Sequence, residues 1–199
     1  MCGRGTNILV ASALGRKAVG YDLSAKNIEK IRSVALQHTP IKESDLTLHQ
    51  SDGVELAEYA DQENIWDMVT FDPPYVGNGE NYGNEDSRDL CLEKDVDAFY
   101  GKLEICLKNL KRLIKPSDWK AKTFHPIIVK CGSSRRSAHG GLKDMSTDIE
   151  LIGRKLSLCL HDKVVNVLDS YWAMFNASRC IDNRYSVKCH ETNLVFLKY

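Results

Sequence analysis

The run Ile65-Trp66-Asp67-Met68-Val69-Thr70-Phe71 passes directly into Asp72-Pro73-Pro74-Tyr75 and then into a stretch rich in glycine and asparagine. A simple turn needs one proline and a glycine or asparagine, and rarely carries a large ring at its tip. Here a carboxylate is followed by two residues of fixed φ that lack N–H groups, and then by an aromatic face. The proline carbonyls project with no competing donor beside them. Acid, carbonyl and ring together can accept hydrogen bonds and stack, which is more than the end of a strand requires.

Two other aspartates hold matching positions. Lys17 to Tyr21 reads as a strand closing on Asp22-Leu23, and Leu46 to His49 as a strand closing on Asp52-Gly53. Upstream, Cys2-Gly3-Arg4-Gly5-Thr6 leads into a helix. Glycines let a backbone approach a ligand closely, and the helix behind them offers unpaired N–H groups. Asp22 follows those glycines by roughly 20 residues, the spacing at which a carboxylate accepts the ribose hydroxyls of an adenosine cofactor. Three successive strands thus end in aspartate at the carboxyl edge, where open α/β sheets bind ligands.

The elements that must position these residues follow from periodicity. Helices are expected over Thr6 to Leu14, Ser24 to Gln37, Gly53 to Tyr59, Val96 to Ile114 and Asp148 to Leu160. Further strands are expected over Ile65 to Phe71, Pro126 to Cys131, Lys163 to Leu168 and Asn193 to Tyr199, the last pair antiparallel. The alternation implies an α/β fold: a doubly wound, mostly parallel sheet closed by a C-terminal antiparallel hairpin, in one domain over residues 1–199. A composition of 43% hydrophobic and 27% charged residues suits an ordinary globular protein. No apolar stretch reaches membrane-spanning length and no secretory leader is apparent, so a cytoplasmic location is expected. Seven cysteines, an odd number with no Cys-x-x-Cys pair, argue against a disulfide framework and a structural zinc, and no metal site is expected. The formal net charge of zero neither excludes nor favours a polyanionic partner.

Taken in order, Gly3-Arg4-Gly5-Thr6, Asp22, Asp52 and Asp72-Pro73-Pro74-Tyr75 resemble the S-adenosylmethionine-dependent amino-methyltransferases, which methylate adenine N6 and cytosine N4 in DNA. The resemblance spans nearly the whole chain and implies a Rossmann-like class I methyltransferase fold. It implies that Gly3 and Gly5, with Cys2 and Thr6, line the methionine part of the cofactor. Asp22 with Leu23 would hold its ribose, and Asp52 with Gly53 would lie near its adenine. It implies that Asp72 and the Pro73 carbonyl grip the exocyclic amine, that Pro74 stiffens the motif, and that Tyr75 stacks on a base swung out of the duplex. Base–aromatic stacking is worth about 1–3 kcal/mol, a good part of the unstacking cost. The family begins this region with a strand, and here the sequence starts inside the glycine motif. The expectation is a fragment, a start further upstream, or a partner that supplies the strand.

Lys130, Arg135, Arg136, His139 and Lys143 lie in and around a loop after a strand on the same edge, where they could clamp phosphates beside a target base; a solvated loop is the plain alternative. Arg179, Arg184 and Lys188 invite the same reading with less weight, and Tyr171, Trp172 and Phe175 are expected in the core. Residues 76–95 are long and polar enough for a lid over the target. No segment has the size of a separate sequence-reading domain, so specificity is expected from these loops or from a partner chain. Two other readings stand beside DNA methylation. One is an RNA guanine-N2 methyltransferase; the other is a non-catalytic nucleic-acid-binding or subunit-pairing remnant.

Overall fold

The computed structural model describes residues 2–37, 41–74, 86, 88–134, 143–167 and 190–199. The chain divides into two compact units, one of Met1–Ile65 with Thr70–Leu113, the other of Trp66–Val69 with Ile114–Tyr199.

In the first unit, α1 (Thr6–Ala13) leads to β1 (Ala18–Asp22), α2 (Ala25–Gln37) and β2 (Leu46–Gln50). Strands β1 and β2 pair in parallel, Ala18 opposite Leu46 through Asp22 opposite Gln50. A parallel pair needs a crossover, and α2 provides it, started by the Ser24 hydroxyl accepting the Asn27 N–H at 3.4 Å. Its apolar positions Ile28, Ile31 and Ala35 are buried one turn apart. Ile8, Ala18 and Ile31 form a core with Cys2, Leu9, Ala11, Leu46 and Leu48 packed against it. The expected helix over Gly53 to Tyr59 is instead a turn and a 3-10 segment, Ala57–Tyr59. Leu56 takes a left-handed φ of 50° while staying 2% exposed, so burial of its side chain breaks the helical path. Helix α3 (Val96–Leu113) buries Phe99, Leu103, Cys106, Leu107, Leu110 and Leu113 along one stripe. The Asp95 carboxylate caps it by accepting the N–H groups of Asp97 and Ala98 at 2.8 and 3.0 Å. Near its end, the Arg112 guanidinium donates to the carbonyls of Tyr59, Ala60 and Gln62, pinning the 3-10 segment.

The strand expected over Ile65 to Phe71 shrinks to β3 (Val69–Phe71). Asn64 at φ 53°, with Asp67 and Met68 facing solvent, leaves too little regular backbone for more.

In the second unit, β4 (Pro126–Cys131), β5 (Ser133–Ser134) and β6 (Lys143–Asp144) precede α4 (Met145–Lys155), β7 (Cys159–Val167) and β8 (His190–Leu197). The larger sheet runs β3–β4–β8–β7, joined by β3 from Val69, and β5 with β6 forms a short ribbon. Strand β8 lies between β4 and β7 and is antiparallel to both. The expected hairpin pairing of the last two strands is thus present, and of the expected mostly parallel sheet the described residues show parallel pairing in β1–β2 but antiparallel pairing on both sides of β8. The register that sets Val129 opposite Leu194 and Ile127 opposite Phe196, all buried, decides that direction. Helix α4 starts three residues earlier than expected, because Asp144 caps it, and stops at Leu156 before Ser157 at φ 55°. This frees Cys159 to Leu160 for β7, which periodicity had placed in the helix. Helix α4 packs on β8 at Gly153, where an added Cβ would stand 2.5 Å from Phe196 Cε1.

Candidate active site

The first residues form a tight turn that glycine makes possible. The Cys2 N–H donates to the Tyr21 carbonyl at 2.6 Å, and the Gly5 N–H donates to the Cys2 carbonyl at 2.8 Å. Gly3 and Gly5 take φ of 51° and 76°, a region that costs a side-chain-bearing residue about 1–2 kcal/mol. Space adds to this at Gly5, where a Cβ would lie 2.5 Å from Ile31 Cγ1. At Gly3 nothing among the described residues stands within 4 Å of that position, so this side of the turn is open to them. Thr6 is exposed at the first turn of α1.

Asp22 is 8% exposed and holds this turn. Its Oδ2 accepts the Gly3 N–H at 2.8 Å, while Oδ1 accepts the Ser24 N–H and the Asn27 amide, each at 3.0 Å. The carboxylate expected to meet a ribose therefore also orders the glycine turn, and Leu23 beside it is half-buried. The Ser51 N–H donates to the Asp22 carbonyl at 3.2 Å, which ties the carboxyl ends of β1 and β2 together. Asp52 follows, half-buried, with Oδ1 accepting the Val54 N–H at 2.8 Å. The Gly53 carbonyl accepts the Cys106 thiol at 3.6 Å, and Asn109 Nδ2 donates to the Val54 carbonyl at 2.9 Å, so α3 supports the turn after Asp52. Behind Asp22, Tyr21 stacks on His49 at 4.7 Å, with Tyr59 edge-on to both. Burial first, and the nearby Glu58 charge second, push the Tyr21 hydroxyl well above its usual range.

Asp72 directly follows β3 with its side chain exposed, and is itself followed by buried Pro73 and half-buried Pro74. The prolines are anchored while the acid faces outward. Asn7, in the first turn of α1, donates through Nδ2 to Thr70 Oγ1 at 3.2 Å. That bond joins the glycine-turn helix to the strand two residues before Asp72. Sequence reading missed Asn7 and Asn27; the Ser24 cap three residues before Asn27 was the one local signal for the latter.

Tyr75, Arg135, Arg136, His139, Tyr171, Trp172, Phe175, Arg179, Arg184 and Lys188 lie outside the described residues, as does most of the expected lid. Lys130, on β4 of the second unit, pairs with Glu191 at 3.0 Å, and Lys143 opens β6 opposite Ser134. Among the described residues no group of three or more His, Cys, Asp or Glu could hold a metal, and no helix is long and apolar enough to cross a membrane.

No family model matches the sequence, and no curated protein matches it significantly. Solved structures do. A SAM-dependent methyltransferase from Methanosarcina mazei is 12% identical with a TM-score of 0.59, over 99% of this chain and 89% of that one. The chain has a methyltransferase fold. The [4+2]-cyclase SpnF, at 12% identity and TM-score 0.61, shares it over 99% of this chain and 72% of that one. A shared fold with a cyclase means that the site residues, not the fold, must argue the reaction. A candidate DNA modification methylase from Thermus thermophilus, solved with S-adenosyl-L-methionine, is 17% identical with a TM-score of 0.49 over 74% of this chain. The chain spans about half the length of that protein, 53%.

Proposed function

We propose that this chain binds S-adenosylmethionine and methylates the exocyclic amine of adenine (N6) or cytosine (N4) in DNA. The observation that carries the reading is the 3.2 Å bond from Asn7 to Thr70. It couples the helix behind Gly3 and Gly5 to the strand that presents Asp72-Pro73-Pro74.

The donor set suits the cofactor. Gly3 leaves an open face among the described residues, and Asp22 closes β1 while Asp52 follows the end of the adjoining β2. In this reading Cys2, Gly3, Gly5 and Thr6 hold the methionine end, Asp22 and Leu23 the ribose, and Asp52 and Gly53 the adenine. When bound, the cofactor supplies a methyl group on an electrophilic sulfonium.

The protein's share is to make a weak nucleophile competent. The lone pair of an exocyclic amine is delocalised into its ring. Asp72 accepts one N–H and the Pro73 carbonyl the other, which turns the lone pair out of conjugation and offsets the positive charge that develops on nitrogen. Fixed placement of the two reactants lowers the barrier further. Proline at 73 and 74 keeps those carbonyls still and free of neighbouring donors. Tyr75 stacks on the extruded base, and Lys130, Arg135, Arg136 and Lys143 face phosphates. Sequence choice comes from the loops around the site or from a partner chain.

Asp72→Ala is expected to abolish methyl transfer to DNA, read with labelled cofactor, while calorimetric cofactor affinity changes little. Retained turnover in that variant would sink the assignment. Nucleoside mass spectrometry of the product DNA then separates N6-methyladenine from N4-methylcytosine.

A further inference from the structure

The second unit carries an aromatic cluster that the methyl-transfer site does not use. Asp118 and Thr123 close a hairpin whose tip reads Trp119-Lys120-Ala121-Lys122, with Phe124 just beyond. Trp119 lies 5.5 Å from Phe124 and 6.1 Å from His161 on β7, ring centre to centre. Phe124 and His161 stack at 5.8 Å and 24°. Ordinary packing would bury the largest ring of such a group, yet Trp119 is 64% exposed and Phe124 41%. Tyr199, 58% exposed, leaves from the same place, since the Ser117 N–H donates to the Lys198 carbonyl at 2.6 Å.

Two cations stand at the tip beside the rings, where a phosphate could meet them. Lys120 and Lys122 are exposed at the tip, and neither is in a salt bridge among the described residues. The neighbouring carboxylates of Asp118 and Asp162 keep their charge but are turned toward backbone N–H groups, and Asp67 is ion-paired. Asp118 accepts the N–H groups of Lys120 and Ala121 at 2.8 and 3.0 Å, and Asp162 accepts that of Lys163 at 2.7 Å. Asp67 holds Lys115 at 2.7 Å and lies 3.7 Å from His125. What the hairpin offers is exposed ring surface at Trp119 and Phe124 flanked by two lysines that form no ion pair among the described residues.

We propose that the Trp119–Phe124 hairpin with His161 is a stacking platform for a single-stranded nucleic acid. Unpaired bases lie against Trp119 and Phe124, and Lys120 and Lys122 meet the adjoining phosphates. A duplex hides its base faces, so the ligand is unpaired DNA or RNA. None of these residues is among those assigned to methyl transfer, though the platform shares nucleic acid as partner class with the function proposed above.

The test is fluorescence anisotropy of the full chain with labelled oligo(dT) and oligo(U) of about 12 nucleotides, a length within known single-strand site sizes. Trp119→Ala is expected to weaken binding about tenfold, and Trp119→Phe to restore most of it, with the thermal midpoint unchanged in both. Lys120→Ala/Lys122→Ala should flatten the slope of log affinity against log salt by about 1.4, two phosphate contacts' worth. A preference for one oligonucleotide names the nucleic acid and supports the platform. Absence of binding by the unaltered protein, equal affinity in Trp119→Ala, or Trp119-dependent self-association in place of oligonucleotide binding would each overturn it. Binding is read without cofactor. A protein that transfers no methyl group but needs Trp119 for binding keeps this proposal and loses the earlier one.

Discussion

Asp22 serves three donors with two oxygens from a buried position, and this gives it a double part. Removing the carboxylate leaves the Gly3 and Ser24 N–H groups and the Asn27 amide without their acceptor. Asp22→Ala is therefore expected to lower unfolding free energy by about 1–3 kcal/mol in urea titration. S-adenosylmethionine affinity should fall further than that loss alone explains. Unchanged stability would mean that the turn is not held this way. That an aspartate stood at this strand end was legible, because an apolar run stopping at a carboxylate needs only local sequence. Its partners were not. The Asn7–Thr70 bond spans 63 residues, and such spacing is set by how α1 lies beside β3 rather than by any pattern near Asn7.

At the scale of elements, legibility tracked the strength of the cap and the length of the stripe. Helix α3 was readable to within a residue, having six buried apolar positions and Asp95 before it. Helix α4 was misplaced because its cap, Asp144, follows a basic, glycine-containing segment that reads as loop. That cap gives a pH prediction. Burial pushes the Asp144 carboxyl up, but hydrogen bonds from Ser146 and Thr147 outweigh it, leaving the group below its ordinary value of 3.8. Its contribution is thus complete above the ordinary value and is lost as pH falls through the lower native one. Asp144→Ala is expected to cost about 1 kcal/mol at neutral pH. The gap from the unaltered protein should close in thermal melts as the buffer is taken well below pH 3.8. A gap that persists at the lowest pH would show that packing, not the ionised cap, is responsible.

For the molecule as a whole, the sequence conveyed the alternation of strands and helices but not the sense of the ladders. An apolar run looks the same whichever way its neighbour points, and β8 took its place beside β4 by matching buried side chains, with β7 pairing its other edge. The thiols offer a check across the entire chain. Among the described residues, Cys2, Cys91, Cys106, Cys131 and Cys159 form no disulfide. Burial pushes Cys106 up to about 12, and burial followed by Asp89 pushes Cys91 up to about 12. Cys159 is exposed. Alkylation at pH 8 followed by peptide mass spectrometry should modify Cys159 early, and Cys106 only once denaturant opens the fold. Early labelling of Cys106 would contradict the packing of α3.

Replacing a helical glycine by alanine usually strengthens a helix by about 1 kcal/mol. At Gly153 the same exchange would act as a wedge, because the new methyl meets the Phe196 ring before it meets solvent. Levering α4 off β8 costs about 1–3 kcal/mol, so the sign reverses. An engineer seeking a hardier protein would do well to leave that notch empty.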